Sequence, residues 1–297
     1  MTRRLQWPWL AATLAAALSA NAAAAQPTAE RVTFPSADGK TTLVASLMRP
    51  VGEAPRPALV LLHGCSGLQR GGRIFPLYRN WAQLFVANSY VVLIVDSAGS
   101  RSFGETCTGR PERRVMFAER PHDAYAALQY LQAQPFVRAD RVGVVGWSQG
   151  GATILLAART GSSARPAGLK ADFRAAVALY PGLCDTQLQA SLIGEAAARG
   201  WTTAIPLMVL QGTADNWTPA ARCEAFMADA KARGTPIEFK LYPDAYHTFD
   251  APNMALHPLP AYRMANGVVP LIGTDEAARA DALVRVPEFL ARYLKDR

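Results

Sequence analysis

Six short runs, most of them apolar on both faces, recur along the chain with helical stretches between them: residues 57–63, 90–96, 141–146, 173–179, 205–210 and 237–241. A strand can be apolar on both sides only where helices cover both, which is the condition of a parallel sheet. Helices are expected at 77–87, 122–132, 149–159, 218–232 and 274–294. Thr218 should cap the fourth with Pro219 in its first turn, and Pro287 should kink or split the last. Two earlier strands, 31–34 and 42–48, meet at the turn Asp38-Gly39 and form an antiparallel edge. The expected fold class is α/β, a doubly wound, mostly parallel sheet of about eight strands flanked by helices.

Composition narrows the function classes. With 50% hydrophobic and 18% charged residues, a chain of 297 residues can bury a sizeable core and is not disordered. Its 22 Gly and 21 Pro follow no period, and no repeat of the length used by solenoids or propellers is visible. The net charge of +8 comes from scattered Lys and Arg without interleaved aromatics, so nucleic acid is not an expected partner.

The opening residues, MTRRLQWPWLAATLAAALSANAAAAQ, place Arg3 and Arg4 before an apolar run that ends in small residues. This is the pattern of a secretory signal peptide, residues 1–25, with cleavage after Ala25 and a single domain over 26–297. The run is shorter than the roughly 20 residues that span a bilayer, so no stable membrane anchor is expected after cleavage. The expected location is periplasmic or secreted. Gln6 stands where a twin-arginine signal prefers an apolar residue, which favours the general export route. An oxidising compartment lets close cysteines pair. Cys184 with Cys223, and Cys65 with Cys107, are the candidate disulfides. No CxxC or HExxH spacing is present, so a metal site is not expected, and the serine chemistry read below requires no cofactor.

Gly146-Trp147-Ser148-Gln149-Gly150 is a GxSxG pattern between an expected strand and an expected helix. At such an elbow the glycines prevent collisions between the turn and its neighbours, and Ser148 Oγ is lifted above the sheet edge. The Gln149 N–H, at a helix N-terminus, can stabilise an oxyanion. A serine nucleophile needs a base, and the base an orienting carboxylate. Asp215 follows the run 205–210 and His247 follows 237–241, which gives the order Ser, Asp, His along the chain. Asp244, Asp250 and Asp96 are alternative carboxylates. Cys65 N–H, in the loop His63-Gly64-Cys65-Ser66-Gly67, is the second candidate oxyanion donor.

Taken in order, HGxxG, ERPHDAYAALQYL, RVGVVGWSQGG, ALYPG, QGTAD and YPDAYHTF resemble the α/β-hydrolase fold and, within it, the dienelactone hydrolase family. The resemblance implies a hydrolase of this architecture. The namesake enzymes carry Cys at the elbow where this chain carries Ser148, so it implies ester hydrolysis by a serine mechanism more than opening of an activated lactone. A small-molecule ester is the expected substrate. The alternatives are a ligand-binding protein on the same fold, or a peptidase or acyltransferase. Arg101, Arg110, Arg113 and Arg114, in a long loop expected over 97–118, suggest a rim for a carboxylate-bearing ester. Trp147, Trp217 and Tyr246 flank the site in sequence and are candidates for a pocket lining.

Overall fold

The computed structural model describes residues 2, 29–108 and 111–296. The leader and its expected cleavage point lie outside the described residues. Eight strands form the main sheet: β1 (Glu30–Pro35), β2 (Thr42–Met48), β3 (Arg56–Leu62), β4 (Val91–Val95), β5 (Val137–Trp147), β6 (Ala176–Leu179), β7 (Leu207–Gly212) and β8 (Ile237–Tyr242). Their spatial order is β1-β2-β4-β3-β5-β6-β7-β8. Strand β2 runs antiparallel to both β1 and β4, and every other neighbouring pair is parallel. The two-strand antiparallel edge and the doubly wound sheet are therefore as the residues suggested.

Alternation along β3 explains the core. Ala58, Val60 and Leu62 face one buried cluster, while Leu59 and Leu61 face the other. The first cluster includes Ala124 and Leu128 of α2 (Pro111–Gln132), Ile154 of α3 (Gln149–Ala157) and Phe226 of α6 (Ala220–Ala232). The second includes Trp81 and Phe85 of α1 (Pro76–Ala87) and Phe289 and Leu290 of α7 (Glu276–Leu294). Neighbour β4 lies on one side of β3 and β5 on the other. The chain leaving β3 and the chain leaving β5 thus meet at a topological switch point, where a crevice opens at the carboxyl ends of the strands.

Local corrections have identifiable causes. Helix α2 starts at Pro111 and runs through Pro121, so the expected loop over 97–118 is shorter than its sequence suggests. Its arginine-rich first half lacks apolar periodicity, and Pro111 occupies the first turn, where a missing N–H costs nothing. Helix α7 continues through Pro287 as one helix, with the Asp275 side chain accepting from Ala278 N at its start. Helix α6 begins at Ala220 after Pro219 and has no side-chain cap. The Thr218 hydroxyl donates to Asp215 Oδ2 at 2.7 Å instead. Two helices without an expectation, α4 (Thr186–Ile193) and α5 (Glu195–Arg199), fill the connection from β6 to β7. Both expected disulfides, Cys65–Cys107 and Cys184–Cys223, are formed. Among the described residues, no helix is long and apolar enough to cross a membrane.

Candidate active site

Ser148 joins β5 to α3 with φ 52° and ψ −112°, a conformation that side chains adopt only under constraint. The constraint is close packing. A Cβ on Gly146 would lie 2.5 Å from the Gly150 backbone, and one on Gly150 would collide with the carbonyl of Leu62 at the end of β3. Ser148 N donates to Leu179 O of β6 at 2.9 Å, which fastens the elbow to the sheet. Helix α3 starts at the next residue, so the Gln149 N–H has no partner inside the helix and can serve an anion.

His247 and Asp215 form a buried pair, with Nδ1 2.7 Å from Asp215 Oδ2. The carboxylate can only accept, so Nδ1 carries the proton and Nε2 presents its lone pair. Asp215 Oδ1 accepts from the backbone N–H groups of Trp217 and Thr218, each at 2.9 Å. Burial pushes this carboxyl up. The charge of His247 when it is protonated and its hydrogen bond, with the bonds from Thr218, outweigh burial and hold it below the ordinary carboxylate value. The Tyr180 ring, at the end of β6, lies 4.5 Å from the imidazole centroid, and Trp217 lies 5.0 Å from it on another side. Ser148 O accepts from Gly182 N, two residues beyond Tyr180, so the elbow and the imidazole border the same turn. No hydrogen bond joins Ser148 Oγ to His247.

The loop after β3 lies against the elbow, for a Cβ on Gly64 would be 3.5 Å from Ser148 Cβ. His63 is fully buried, and burial together with the charge of Arg120 holds its pKa well below the usual value. Its Nδ1 donates to Gly64 O at 2.6 Å and its Nε2 faces Ala98 N. Holding Gly64 O turns the N–H of the same peptide, which belongs to Cys65, the opposite way. The Cys65 carbonyl accepts from Thr106 N at 2.7 Å, and the Cys65 side chain is bonded to Cys107. The second candidate oxyanion peptide is thus held on both sides.

Other expected residues separate. Asp244 is exposed, its N–H donates to Thr213 Oγ1, and it forms no ion pair with His247. Asp250 is buried elsewhere, accepting from Trp81 Nε1 and Trp147 Nε1 at 2.8 Å and from the Tyr180 hydroxyl at 2.7 Å. Asp96 caps its own loop by accepting from Gly99 N. Trp147 is core, whereas Trp217 is half-exposed and stacks on Tyr262. Arg101 is not at a rim, since it makes a buried two-point pair with Asp123 at 2.7 and 2.9 Å. Arg113 and Arg114 lie on α2, Arg113 donating to Cys107 O, and Arg110 falls outside the described residues. The sequence reading missed Arg120, a fully buried cation at the back of the loop after β3. It sits inside the quoted ERPHD motif, but nothing local distinguishes it from its exposed neighbours.

The family model described as "Dienelactone hydrolase family" matches residues 43–294. The chain belongs to the dienelactone hydrolase family. A putative dienelactone hydrolase from Klebsiella pneumoniae subsp. pneumoniae superposes with a TM-score of 0.65 at 18% identity, covering 90% of this chain and 99% of that one. The fold is accordingly that of the α/β-hydrolases. Two curated relatives are similar over shorter stretches. The thiohydrolase aneE of Aspergillus aculeatus is 33% identical over 109 residues, which is 36% of this chain and 31% of that protein. The quorum-quenching protein AidA of Acinetobacter baumannii is 32% identical over 127 residues, 43% of this chain and 38% of that protein. The matched stretches therefore span about a third of the length of these relatives. Membership makes this chain one of a hydrolase family.

Proposed function

We propose that this dienelactone hydrolase family member is an exported serine hydrolase that cleaves carboxylic esters of small molecules. The observation that carries the reading is the buried Asp215–His247 pair at 2.7 Å, its imidazole packed on Tyr180 of the turn that also bonds the carbonyl of the strained Ser148 at the carboxyl edge of the sheet. Ser148 Oγ attacks the ester carbonyl and passes its proton to His247 Nε2. The imidazolium is stabilised by Asp215, which holds the correct tautomer. Negative charge on the carbonyl oxygen is received by the N–H groups of Gln149 and Cys65. Protonation of the alkoxide by His247 releases the alcohol, and water activated by the same imidazole clears the acyl group from Ser148. The two disulfides and the leader pattern support export to an oxidising compartment.

The test uses p-nitrophenyl acetate and a fluorophosphonate probe on the purified protein. Wild type should turn over the ester and become labelled, and Ser148→Ala should do neither. Undiminished turnover by Ser148→Ala would remove the serine mechanism. A wild-type protein that resists the probe while binding small esters without cleaving them would support the ligand-binding alternative.

A further inference from the structure

Arg120 has no exposed surface and makes no salt bridge among the described residues. The carboxylate one helical turn further on, Asp123, is already committed to Arg101 through two hydrogen bonds. Burial lowers the Arg120 pKa to about 10, so the guanidinium remains charged at neutral pH. A buried and unpaired cation is costly, and its retention calls for a reason.

Its hydrogen bonds supply one. Nη2 donates to His63 O at 2.7 Å, on the loop that carries Cys65. Nη1 donates to Gln149 Oε1 at 3.1 Å, on the residue that follows Ser148. The guanidinium therefore bridges the two segments whose N–H groups form the candidate oxyanion site. Thr106 closes the circuit, since its hydroxyl donates to Gln149 Oε1 at 3.0 Å and its N–H to Cys65 O at 2.7 Å. Arginine can only donate, so the Gln149 amide oxygen is the atom facing it. Two buried atoms of this network lack a partner, Arg120 Nε and Gln149 Nε2, and both are donors. Asp123 and Asp96 favour the charged guanidinium only from beyond salt-bridge distance, and neither is hydrogen-bonded to it.

We propose that Arg120 is a positioning residue that sets the spacing of the Cys65 and Gln149 N–H groups, its charge being balanced by the oxyanion formed during ester cleavage. The proposal rests on the serine-hydrolase reading above. Interactions that strengthen only when charge develops raise kcat and leave KM nearly untouched.

The experiment compares wild type, Arg120→Lys and Arg120→Met on p-nitrophenyl acetate, with active sites counted by fluorophosphonate titration. Per titrated site, kcat should fall about 10-fold in Arg120→Lys and about 10²-fold in Arg120→Met, with KM within about threefold. A trifluoromethyl ketone, which forms a charged adduct on serine, should lose affinity in parallel, while the matching methyl ketone does not. Variants that keep wild-type kcat per titrated site, with only fewer sites or a lower Tm, would reduce Arg120 to a structural residue. If Arg120→Met does not fold, Arg120→Lys decides by the same criteria. Failure of the underlying reading looks different, since wild type itself would then resist the probe.

Discussion

The Tyr180 hydroxyl donates to Asp250 Oδ1 at 2.7 Å while its ring packs against the imidazole of His247. One residue at the end of β6 thereby ties the candidate base to a buried carboxylate that also holds Trp81 and Trp147. Asp250 has no cation in this arrangement, and burial raises its pKa despite three donors.

Removing that carboxylate should be expensive. Asp250→Ala leaves three buried donors unpaired, each worth about 1–3 kcal/mol, so a loss of roughly 3 kcal/mol or more is expected in urea unfolding. Tyr180→Phe removes one bond and should cost about 1–2 kcal/mol while loosening His247. A change below 0.5 kcal/mol in Asp250→Ala would contradict the assigned role of this network.

Asp215 should govern both rate and acid stability. Asp215→Asn is expected to lower kcat by about 10³- to 10⁴-fold, since an amide no longer enforces the Nδ1–H tautomer. Its folded-state pKa lies below the unfolded value, so its stabilisation is present above about pH 4 and fades as pH falls through the folded value. Unfolding free energies measured at pH 6 and pH 3 should therefore differ less in Asp215→Asn than in wild type. Equal differences would show that the pair does not stabilise the fold.

The two disulfides close loops of similar length, with sequence separations of 42 and 39. Chain entropy alone gives each a stabilisation of about 3–4 kcal/mol. Their effects on activity should nonetheless differ, because only Cys65–Cys107 restrains a candidate oxyanion donor. Cys65→Ser/Cys107→Ser should lose Tm and about 10-fold or more in kcat per titrated site. Cys184→Ser/Cys223→Ser should lose Tm with kcat nearly unchanged. Equal kcat in the two double variants would detach the first bridge from the chemistry.

Backbone strain at the elbow predicts a stabilising loss of function. Ser148→Gly relieves a conformation costing about 1–3 kcal/mol, partly offset by the entropy glycine adds to the unfolded chain. Ser148→Ala keeps the strain. Both should be inactive, but calorimetry should place the Tm of Ser148→Gly roughly 2–4 °C above that of Ser148→Ala. A lower Tm for the glycine variant would show that the turn is not strained.

Periodicity and turn chemistry made the architecture readable from the residues alone. Strands apolar on both faces required helices on both sides, and GWSQG between a strand and a helix required a tight elbow. These features depend on neighbours a few positions apart, so the linear chain determined the parallel sheet, the antiparallel edge and the position of Ser148 at a strand end. Tertiary structure decided which groups meet. Asp244 and Asp250 lie within three residues of His247 while Asp215 lies 32 away, and only the approach of the loop after β7 to the loop after β8 selected Asp215. The same applies to Arg101 and Arg120, which look like surface residues until Asp123, His63 O and Gln149 close around them. Their partners lie tens of positions away in the chain, and the hydrogen bonds that fix their roles form only once the sheet brings those distant segments together.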